Sequence, residues 1–299
     1  MDGIILIDKP QGKTSHQVVQ TIKKKLGVQK VGHAGTLDPL ATGLLIILVN
    51  KAAKLSNFFL NKDKTYEVEV QLFTETDTGD ITGKITKEEK VKNIELTQIH
   101  QVISSFNNTT YWQKPPLFSA IKLKGKKLYQ YARQGLKVEV PARLVKINHL
   151  ELLNYLPQQG ILKLLVNCSK GTYIRSLVKD IAEKLETIST VSQLRRTNSG
   201  NFNLQEATSI KEVNQEKIIS LENFPSNTSL AKILDAEELL LADIQKKTTQ
   251  KILDKAAQKG IIHKNSAARR KSKISHKANN LEKQIGLDNS ASNSISFEE

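Results

Sequence analysis

One aspartate stands in the segment of the chain with the most constrained composition, the loop GHAGTLDPLATG over residues 32–43. Three glycines and one proline within twelve residues force a tight, defined loop between two secondary-structure elements. Such a loop can hold the carboxylate of Asp38 forward into a cleft, where it can serve as a nucleophile. Asp-Pro is also a common turn former, so the pair by itself leaves a purely structural role open.

A carboxylate that reacts in a dry pocket has to stay ionised, which requires a fixed cation beside it. An arginine suits this role, because a guanidinium cannot lose its proton under ordinary conditions. Taken as an isolated residue, Arg175 is better interpreted as an ordinary surface arginine at the start of a helix.

The chain has a strong excess of positive charge, which indicates a polyanionic partner. Its 299 residues carry a net charge of +15 with a pI near 9.6, and nucleic acid is the first expectation. Residues 113–137 contain seven basic side chains and no acidic one, interleaved with Phe118, Tyr129 and Tyr131. An acidic membrane surface is a weaker expectation, because the longest apolar run, residues 44–49, is far too short to span a bilayer.

Cofactor, metal and disulfide chemistry find no support in the sequence. The lone Cys168 excludes an intrachain disulfide, and the six histidines show no metal-ligand spacing. No GxxxxGK[ST] or GxGxxG motif is present, so a nucleotide cofactor is not expected. The first residues lack a basic and apolar leader, which predicts a cytoplasmic protein.

The elements that must position Asp38 and Arg175 have both strand and helix patterns. Short apolar or alternating runs predict strands at 3–8, 44–49, 66–73, 144–155 and 161–168. Helical spacing predicts helices at 15–26, 94–106 and 172–185, the first capped by Ser15 and closed by Gly27. Helices mixed with antiparallel hairpins favour the α+β class.

The loop at 32–43 resembles, nearly letter for letter, the catalytic motif of the tRNA pseudouridine-55 synthase family. Further motifs of that family follow in the expected order up to about residue 225: KPQGKTS at 9–15, KTY at 64–66, TDTGD at 76–80, QKPPLFSA at 113–120, GTYIRSL at 171–177 and LRR at 194–196. One departure is Phe118, at a position where the family often has tyrosine.

The resemblance implies the pseudouridine synthase fold, a mixed and mainly antiparallel sheet with flanking helices and an inserted RNA-gripping thumb at about 113–140. It assigns Asp38 as the nucleophile, Arg175 as the neighbouring cation, and Tyr66 as the active-site tyrosine that stacks on the target base. Without the resemblance, Tyr66 would be a strand aromatic packed in the core. The carboxylate attacks either C6 of the base or C1′ of the ribose, and both alternatives are open.

The resemblance also implies substrate-binding residues outside this catalytic set. They are His33, which aids flipping of the nucleotide, Leu194, which lines the uracil pocket, Lys9 and Pro10, which support the active-site loop, and Lys124 and Lys126 in the basic thumb. The implied reaction breaks the N1–C1′ bond, rotates the base and joins C5 to C1′ without redox change. It therefore requires no metal and no cofactor.

The end of the chain has a different character. From residue 243 to 284 there are twelve Lys/Arg against three Asp/Glu, a net charge of +9. Residues 252–273, ILDKAAQKGIIHKNSAARRKSK, resemble the C-terminal part of small-subunit ribosomal protein number twenty, a helical bundle that binds ribosomal RNA. Relatives of the synthase family commonly end in a small RNA-binding β domain or a short extension, and neither is expected here.

These observations predict a catalytic domain at 1–228, a basic helical tail at 229–289 that is ribosomal-protein-like from about 243, and a disordered end at 290–299. The tail either binds RNA, ribosomal RNA included, or is a fused segment without a selected role. We predict a monomeric enzyme that isomerises uridine 55 in the T-arm loop of tRNA after flipping the base. The alternative is an RNA-binding ribosome-associated or assembly factor with a synthase fold, which would have no need of Asp38, Tyr66 and Arg175.

Overall fold

The structure, a computed structural model, describes residues 2–123, 125–136 and 138–221, and most strands of this part join one eleven-stranded sheet. In chain order the strands are β1 (Gly3–Lys9), β2 (Val31–Ala34), β3 (Thr42–Val49), β4 (Lys64–Leu72), β5 (Thr74–Thr76), β6 (Ile85–Glu88), β7 (Thr109–Gln113), β8 (Lys122–Leu123), β9 (Lys126–Lys127), β10 (Arg143–Leu156), β11 (Ile161–Cys168), β12 (Ser189–Ser199), β13 (Phe202–Asn203), β14 (Thr208–Ser209) and β15 (Ile219–Ser220). The α-helices are α1 (Ser15–Leu26), α2 (Ser56–Leu60), α3 (Leu96–Phe106), α4 (Leu128–Arg133) and α5 (Ile174–Lys184). Short 3₁₀ turns cover Asn50–Leu55, Pro157–Gln159, Leu204–Glu206 and Gln215–Lys217.

The large sheet runs in the order β14-β1-β3-β12-β4-β11-β10-β7, with β2 added to β3, β13 to β12 and β15 to β1. Its pairs are antiparallel except for β1 with β14 and β3 with β12. Two small hairpins, β5–β6 and β8–β9, stand apart from it. This mixed, mainly antiparallel sheet with its helices confirms the α+β class.

Five strands were predicted from apolar or alternating runs, and all five are present as β1, β3, β4, β10 and β11. The other ten strands were not predicted, among them β2 in the glycine-rich loop, β7 at the edge of the large sheet and β12 in its centre. The sequence of β12, STVSQLRRTNS, is polar, yet Arg196 and Ser199 are among its buried residues. A buried strand that carries a hydrogen-bonded arginine does not show the apolar period on which the prediction depends.

The N-terminus of α1 differs from the prediction by one residue. Thr14 is the cap: its hydroxyl accepts from the Gln17 backbone N–H (3.1 Å), and the Gln17 side chain accepts from the Thr14 N–H (2.8 Å). Ser15 is buried instead, and its hydroxyl donates to the Leu37 carbonyl (3.1 Å) and accepts from the Leu37 N–H (2.9 Å). The hydroxyl assigned to capping therefore holds the residue that precedes Asp38.

One hydrophobic core contains side chains of the large sheet and of its helices. Val18 and Ile22 of α1 belong to the same buried cluster as Ile5 and Ile47, and so do Ile99, Leu177 and Ile181 of α3 and α5. Each such side chain contributes about 1.5–3 kcal/mol when it leaves water. In the described part of the chain, none of the helices is long and apolar enough to cross a membrane.

The first compact unit of the molecule ends at Ser220. The tail predicted for 229–289 and the end predicted for 290–299 lie wholly outside the described residues, as does Lys124 of the thumb. These assignments stay predictions.

Candidate active site

Asp38 lies between β2 and β3 at a cavity of about 300 Å³. Segments from distant parts of the sequence line the cavity. They include Leu37 and Asp38 of the loop, Leu60 of α2, Lys64 and Tyr66 of β4, Ser119 and Ala120 of the thumb segment, Tyr173 and Arg175 at the start of α5, and Leu194 and Arg196 of β12. Asp38 keeps 39% of its side chain exposed, so its carboxylate is open to the cavity.

The loop that carries Asp38 is fixed by hydrogen bonds from both directions of the chain. The Pro39 carbonyl accepts from the Gly12 N–H (2.8 Å) and from the Lys9 ammonium group (3.4 Å). Ser15 holds Leu37, as described above, and Arg196 donates to the Gly35 carbonyl (3.2 Å). These contacts fix the position of a loop that would otherwise be mobile, because its backbone makes few regular sheet bonds.

Gly43, where the loop joins β3, leaves no room for a side chain. Its φ is 97°, and a Cβ there would overlap the backbone of Arg196 in β12. Since only glycine adopts this φ without strain, the parallel contact of β3 with β12 depends on it.

Arg175 makes the central ion pair of the cavity. Its Nη2 lies 2.8 Å from Asp38 Oδ2 and donates to the Phe118 carbonyl (2.9 Å), while Nη1 donates to the Thr78 carbonyl (2.6 Å). Asp80 Oδ2 lies 4.0 Å from Nη1, and its other oxygen accepts from the Thr82 N–H. The Arg175 side chain is 6% exposed, so the planar guanidinium presents a fixed positive charge to Asp38.

Tyr66 lies opposite Arg196 in the pairing of β4 with β12 and contributes to the cavity wall. Burial raises the pKa of its phenol above the ordinary value, although the charge of Arg196 acts in the opposite direction. The hydroxyl therefore carries its proton near neutral pH.

Two lysines with buried side chains adjoin the cavity. Lys64 donates to the carbonyls of Leu60 (2.8 Å) and Phe59 (3.2 Å) at the end of α2. Lys9 donates to the carbonyls of Lys13 (2.6 Å) and Pro10 (3.0 Å). Burial lowers the pKa of each ammonium group to about 8, and the nearby charge of Arg196 adds to the effect.

The structure brings together four of the residues that the sequence predicted. Asp38, Tyr66, Arg175 and Leu194 all line the same cavity. Lys9 does not line it but contacts the Asp38 loop through Pro39. Pro10, next to Lys9, is exposed.

Two other predicted residues lie away from the cavity wall. His33 is in β2 opposite Ile47, its Nδ1 is buried without a hydrogen-bond partner in the described part of the chain, and burial lowers the pKa of its ring. Lys126 is exposed in β9 of the thumb. The roles that the resemblance assigns to these residues stay predictions.

Arg196 is the residue that the sequence interpretation missed. Its side chain is almost fully buried, and its Nε donates to the Leu44 carbonyl (2.7 Å) while Nη2 bonds Gly35. From the neighbouring strand β12, Arg196 thus connects both ends of the Asp38 loop. The LRR motif at 194–196 was visible in the sequence, but only the sheet order shows that its last residue reaches this loop.

The root of the thumb is tied to α5 next to the cavity. The side chain of Gln113 accepts from the Tyr173 N–H (2.8 Å) and donates to the Tyr173 carbonyl (3.2 Å). Ser176 donates to the Lys114 carbonyl (2.8 Å), and Arg175 holds Phe118 as described. Beyond this root, Lys122, Lys126, Lys127 and Arg133 are exposed to solvent.

Three family models match the chain. The TruB family pseudouridylate synthase N-terminal domain matches residues 23–174, the tRNA pseudouridylate synthase B C-terminal domain matches 175–242, and ribosomal protein S20 matches 226–279. The second match begins inside the catalytic domain predicted for 1–228 and extends to residue 242. The third confirms the resemblance of the tail to the ribosomal protein.

Relatives of known name give the same result over most of the chain. The chain is 44% identical to tRNA pseudouridine synthase B of Mesoplasma florum over 260 residues, which cover 87% of this chain and 88% of the relative. It is 47% identical to the enzyme of that name from Mycoplasma mycoides, with 74% of this chain and 76% of the relative covered. The enzyme of the same name from Caldicellulosiruptor saccharolyticus is 41% identical, with 82% of this chain and 86% of the relative covered.

Solved structures match the fold. A crystal structure of a Cbf5–Nop10–Gar1 complex aligns with a TM-score of 0.55 at 30% identity, covering 70% of this chain and 53% of that one. An H/ACA ribonucleoprotein bound to a substrate RNA containing 2'-deoxyuridine aligns with a TM-score of 0.52 at 28% identity, covering 70% and 51%. The alignments span about half the length of those chains, and with the family matches they confirm the pseudouridine synthase fold.

Proposed function

The chain belongs to the TruB family of pseudouridylate synthases, and from this we propose that it converts uridine 55 in the T-arm loop of tRNA to pseudouridine, with Asp38 as the nucleophile. It is an isomerase that modifies tRNA, as the names of its relatives indicate. The position in the tRNA, the nucleophile and the flipping of the base are the parts that we propose.

The ion pair of Asp38 with Arg175 carries the proposal. A carboxylate is a weak nucleophile in water, and here it lies 2.8 Å from a buried guanidinium at the edge of a cavity. The guanidinium is preorganised by two carbonyls, so little reorganisation is needed as the charge on Asp38 changes during the reaction. Attack at C6 of the base and attack at C1′ of the ribose both require this same carboxylate.

The remaining groups of the cavity wall suit a flat, neutral base. Leu194 contributes an apolar surface and Tyr66 an aromatic ring. Since the pKa of Tyr66 is raised by burial, its hydroxyl enters the reaction as a hydrogen-bond donor and not as a preformed phenolate. The reaction loses a proton from C5 and gains one at N1, so no external oxidant or reductant is required.

A base within a folded RNA loop can reach this cavity only when it leaves its stack. The cost of unstacking has to be offset by contacts to the RNA outside the cavity, which for a stem-loop are contacts to shape and backbone. The exposed thumb lysines and Arg133 are suited to this role, and Lys124, outside the described residues, extends the same basic sequence. We propose that the enzyme acts as a monomer, since Asp38, Arg175, Tyr66 and Leu194 of one chain line the same cavity.

A second, additional activity concerns the tail. The match of residues 226–279 to ribosomal protein S20, with the net charge of +9 over 243–284, favours RNA binding by this segment. In the synthase it would add affinity that does not depend on the RNA sequence. A purely RNA-binding role for the whole chain is disfavoured by the ion pair at Asp38, which a binding protein does not need.

The test uses the full-length chain and an unmodified tRNA transcript. Each pseudouridine that forms is converted to a chemical adduct, and the adduct is located in the transcript at nucleotide resolution. We expect modification at position 55 alone, and none in a transcript with cytidine at that position. Modification at another uridine would overturn the assigned position. A chain that binds the transcript without modifying it would support the RNA-binding factor instead.

A further inference from the structure

The single tryptophan of the chain lies on the surface of the sheet. Trp112 of the edge strand β7 is 69% exposed, and Leu144, its directly paired neighbour in β10, is 57% exposed. Successive residues of a strand face opposite sides, and Tyr111 and Gln113 take the core side in β7. Trp112 and Leu144 therefore form a shared apolar patch on the other face, and contiguous exposed apolar surface marks a contact site.

Two lysines lie next to this patch. Lys114 is two residues after Trp112 in the chain, and Lys146 is paired with Thr110 on the face of Leu144; both side chains are exposed. Arg143 is paired with Gln113 and so belongs to the opposite face. Asp180 and Glu183 of α5 line a surface cavity at the sheet edge that Trp112 and Lys184 also line. Asp180 is engaged there, because its Oδ2 accepts the hydroxyl of Tyr111 at 2.9 Å.

Hydrogen bonds connect this edge of the sheet to the rim of the active cavity. The Lys146 N–H donates to the Ser169 hydroxyl (2.9 Å), and the Lys146 carbonyl accepts from the Ser169 N–H (2.8 Å). Ser169 lines the cavity that contains Asp38. The pair of Trp112 with Leu144 lies two residues further along the strands, or about 7 Å.

We propose that Trp112 is a stacking platform for an unpaired base of the RNA substrate, beside Leu144 and with phosphate contacts from Lys114 and Lys146. The RNA in this proposal is the tRNA of the proposed function. An indole stacks on any base, and an unpaired loop base is free to splay out onto it. The two lysines favour a polyanion as the occupant.

Because Trp112 is the only tryptophan, the intrinsic fluorescence of the full-length chain reports on this one position. We expect acrylamide to quench the emission freely in the protein alone, and saturation with the unmodified tRNA transcript to quench it and protect it from acrylamide. Unchanged emission in the saturated complex would overturn the proposal. Protection from acrylamide without RNA would also overturn it, because another protein segment would then cover Trp112.

Two substitutions and one control separate stacking from a general loss of structure. Trp112→Ala should raise the Kd for the transcript about ten- to hundredfold, whereas Trp112→Phe should stay within about threefold because the ring still stacks. Leu153→Ala, at another exposed leucine of β10, is the control and should leave Kd unchanged. Equal Kd values for Trp112→Ala and the wild type would refute the platform.

Mapping pseudouridine in the same samples keeps this proposal distinct from the proposed function. Pseudouridine at position 55 without quenching refutes the platform alone. Quenching together with the loss of affinity in Trp112→Ala supports the platform even when no pseudouridine forms, a result that would instead refute the proposed function.

Discussion

The cavity and the thumb both carry several basic side chains, but they hold them in opposite ways. Arg175, Arg196 and Lys64 in the cavity are buried, and each donates to at least two carbonyl oxygens. Lys122 and Lys126 in the thumb are exposed to solvent. The same residue types therefore stand in two different electrostatic environments.

The physical reason is the environment of the charge. A buried cation held by fixed dipoles keeps its position and its field during the reaction, so it acts on the chemical step. An exposed cation is screened by water and salt, and it contributes to RNA affinity by releasing counterions from phosphates. Substitutions in the cavity should change kcat, and substitutions in the thumb should change Kd and its salt dependence.

The largest effect is expected for Asp38→Asn. The neutral amide keeps the shape of the side chain but cannot form the ester with the substrate, so kcat should fall at least about a thousandfold. Affinity for tRNA should stay within about tenfold, since the thumb is unchanged. Single-turnover assays and filter binding measure the two quantities, and substantial pseudouridine formation by this variant would refute the nucleophile.

Arg175→Lys should have the next largest effect. Lysine keeps the charge but cannot hold Asp38 and the carbonyls of Thr78 and Phe118 together in one plane, so we expect kcat to fall about 100- to 1000-fold. The Kd for tRNA should change less than about threefold. Lys179 lies on the same helix as Arg175 and forms an exposed ion pair with Glu75 of β5. Lys179→Gln removes this pair and is the matched control, with near-normal kcat. Wild-type turnover in Arg175→Lys would show that the fixed guanidinium is dispensable.

Arg196→Lys tests whether a buried cation that is bonded to the Asp38 loop, and not paired with Asp38 itself, also affects the chemical step. The single ammonium group of lysine cannot reach the carbonyls of both Leu44 and Gly35. A buried carbonyl left without a hydrogen bond costs about 1–3 kcal/mol of unfolding free energy. As the Asp38 loop loosens, kcat should fall about 10- to 100-fold. Urea unfolding and single-turnover kinetics separate the two effects. A stability loss with unchanged kcat would reduce Arg196 to a structural residue.

In the thumb, the double charge reversal Lys122→Glu with Lys126→Glu should raise Kd about ten- to hundredfold at low salt. It should leave the rate in the saturated complex within about twofold. For the wild type we expect log affinity to fall with log salt at a slope of roughly −3 to −5, from about four to six phosphate contacts. Lys23→Glu with Lys24→Glu, exposed in α1, is the charge-matched control. A wild-type slope near zero would contradict an electrostatic role for the thumb.

The smallest effect is expected for removal of the ribosomal-protein-like segment. A chain that ends at residue 242 retains the complete match to the synthase C-terminal domain. Its kcat should stay within about twofold, and its KM should rise about two- to fivefold at low salt and converge with the full-length value at higher salt. Equal KM values at low salt would make the segment a passenger in tRNA modification. A lower kcat at saturation would show that the segment is needed by the catalytic unit.

The sequence by itself determined the strands with apolar or alternating runs, the helices of the core and the family. It also determined the two ends of the central ion pair, Asp38 and Arg175, because the motifs around them are long enough to be specific. Local patterns suffice for these strands and helices, since a buried face gives apolar residues the spacing of a strand or of a helix.

The tertiary structure decided what depends on distant segments meeting. β12 has no apolar period, because its burial is supported by hydrogen bonds from Arg196 to Gly35 and Leu44. Ser15 has the composition of a helix cap, but the approach of Leu37 turns its hydroxyl to the catalytic loop while Thr14 caps α1. A polar group is satisfied by whichever partner the fold brings within reach, and no neighbour in the sequence specifies that partner.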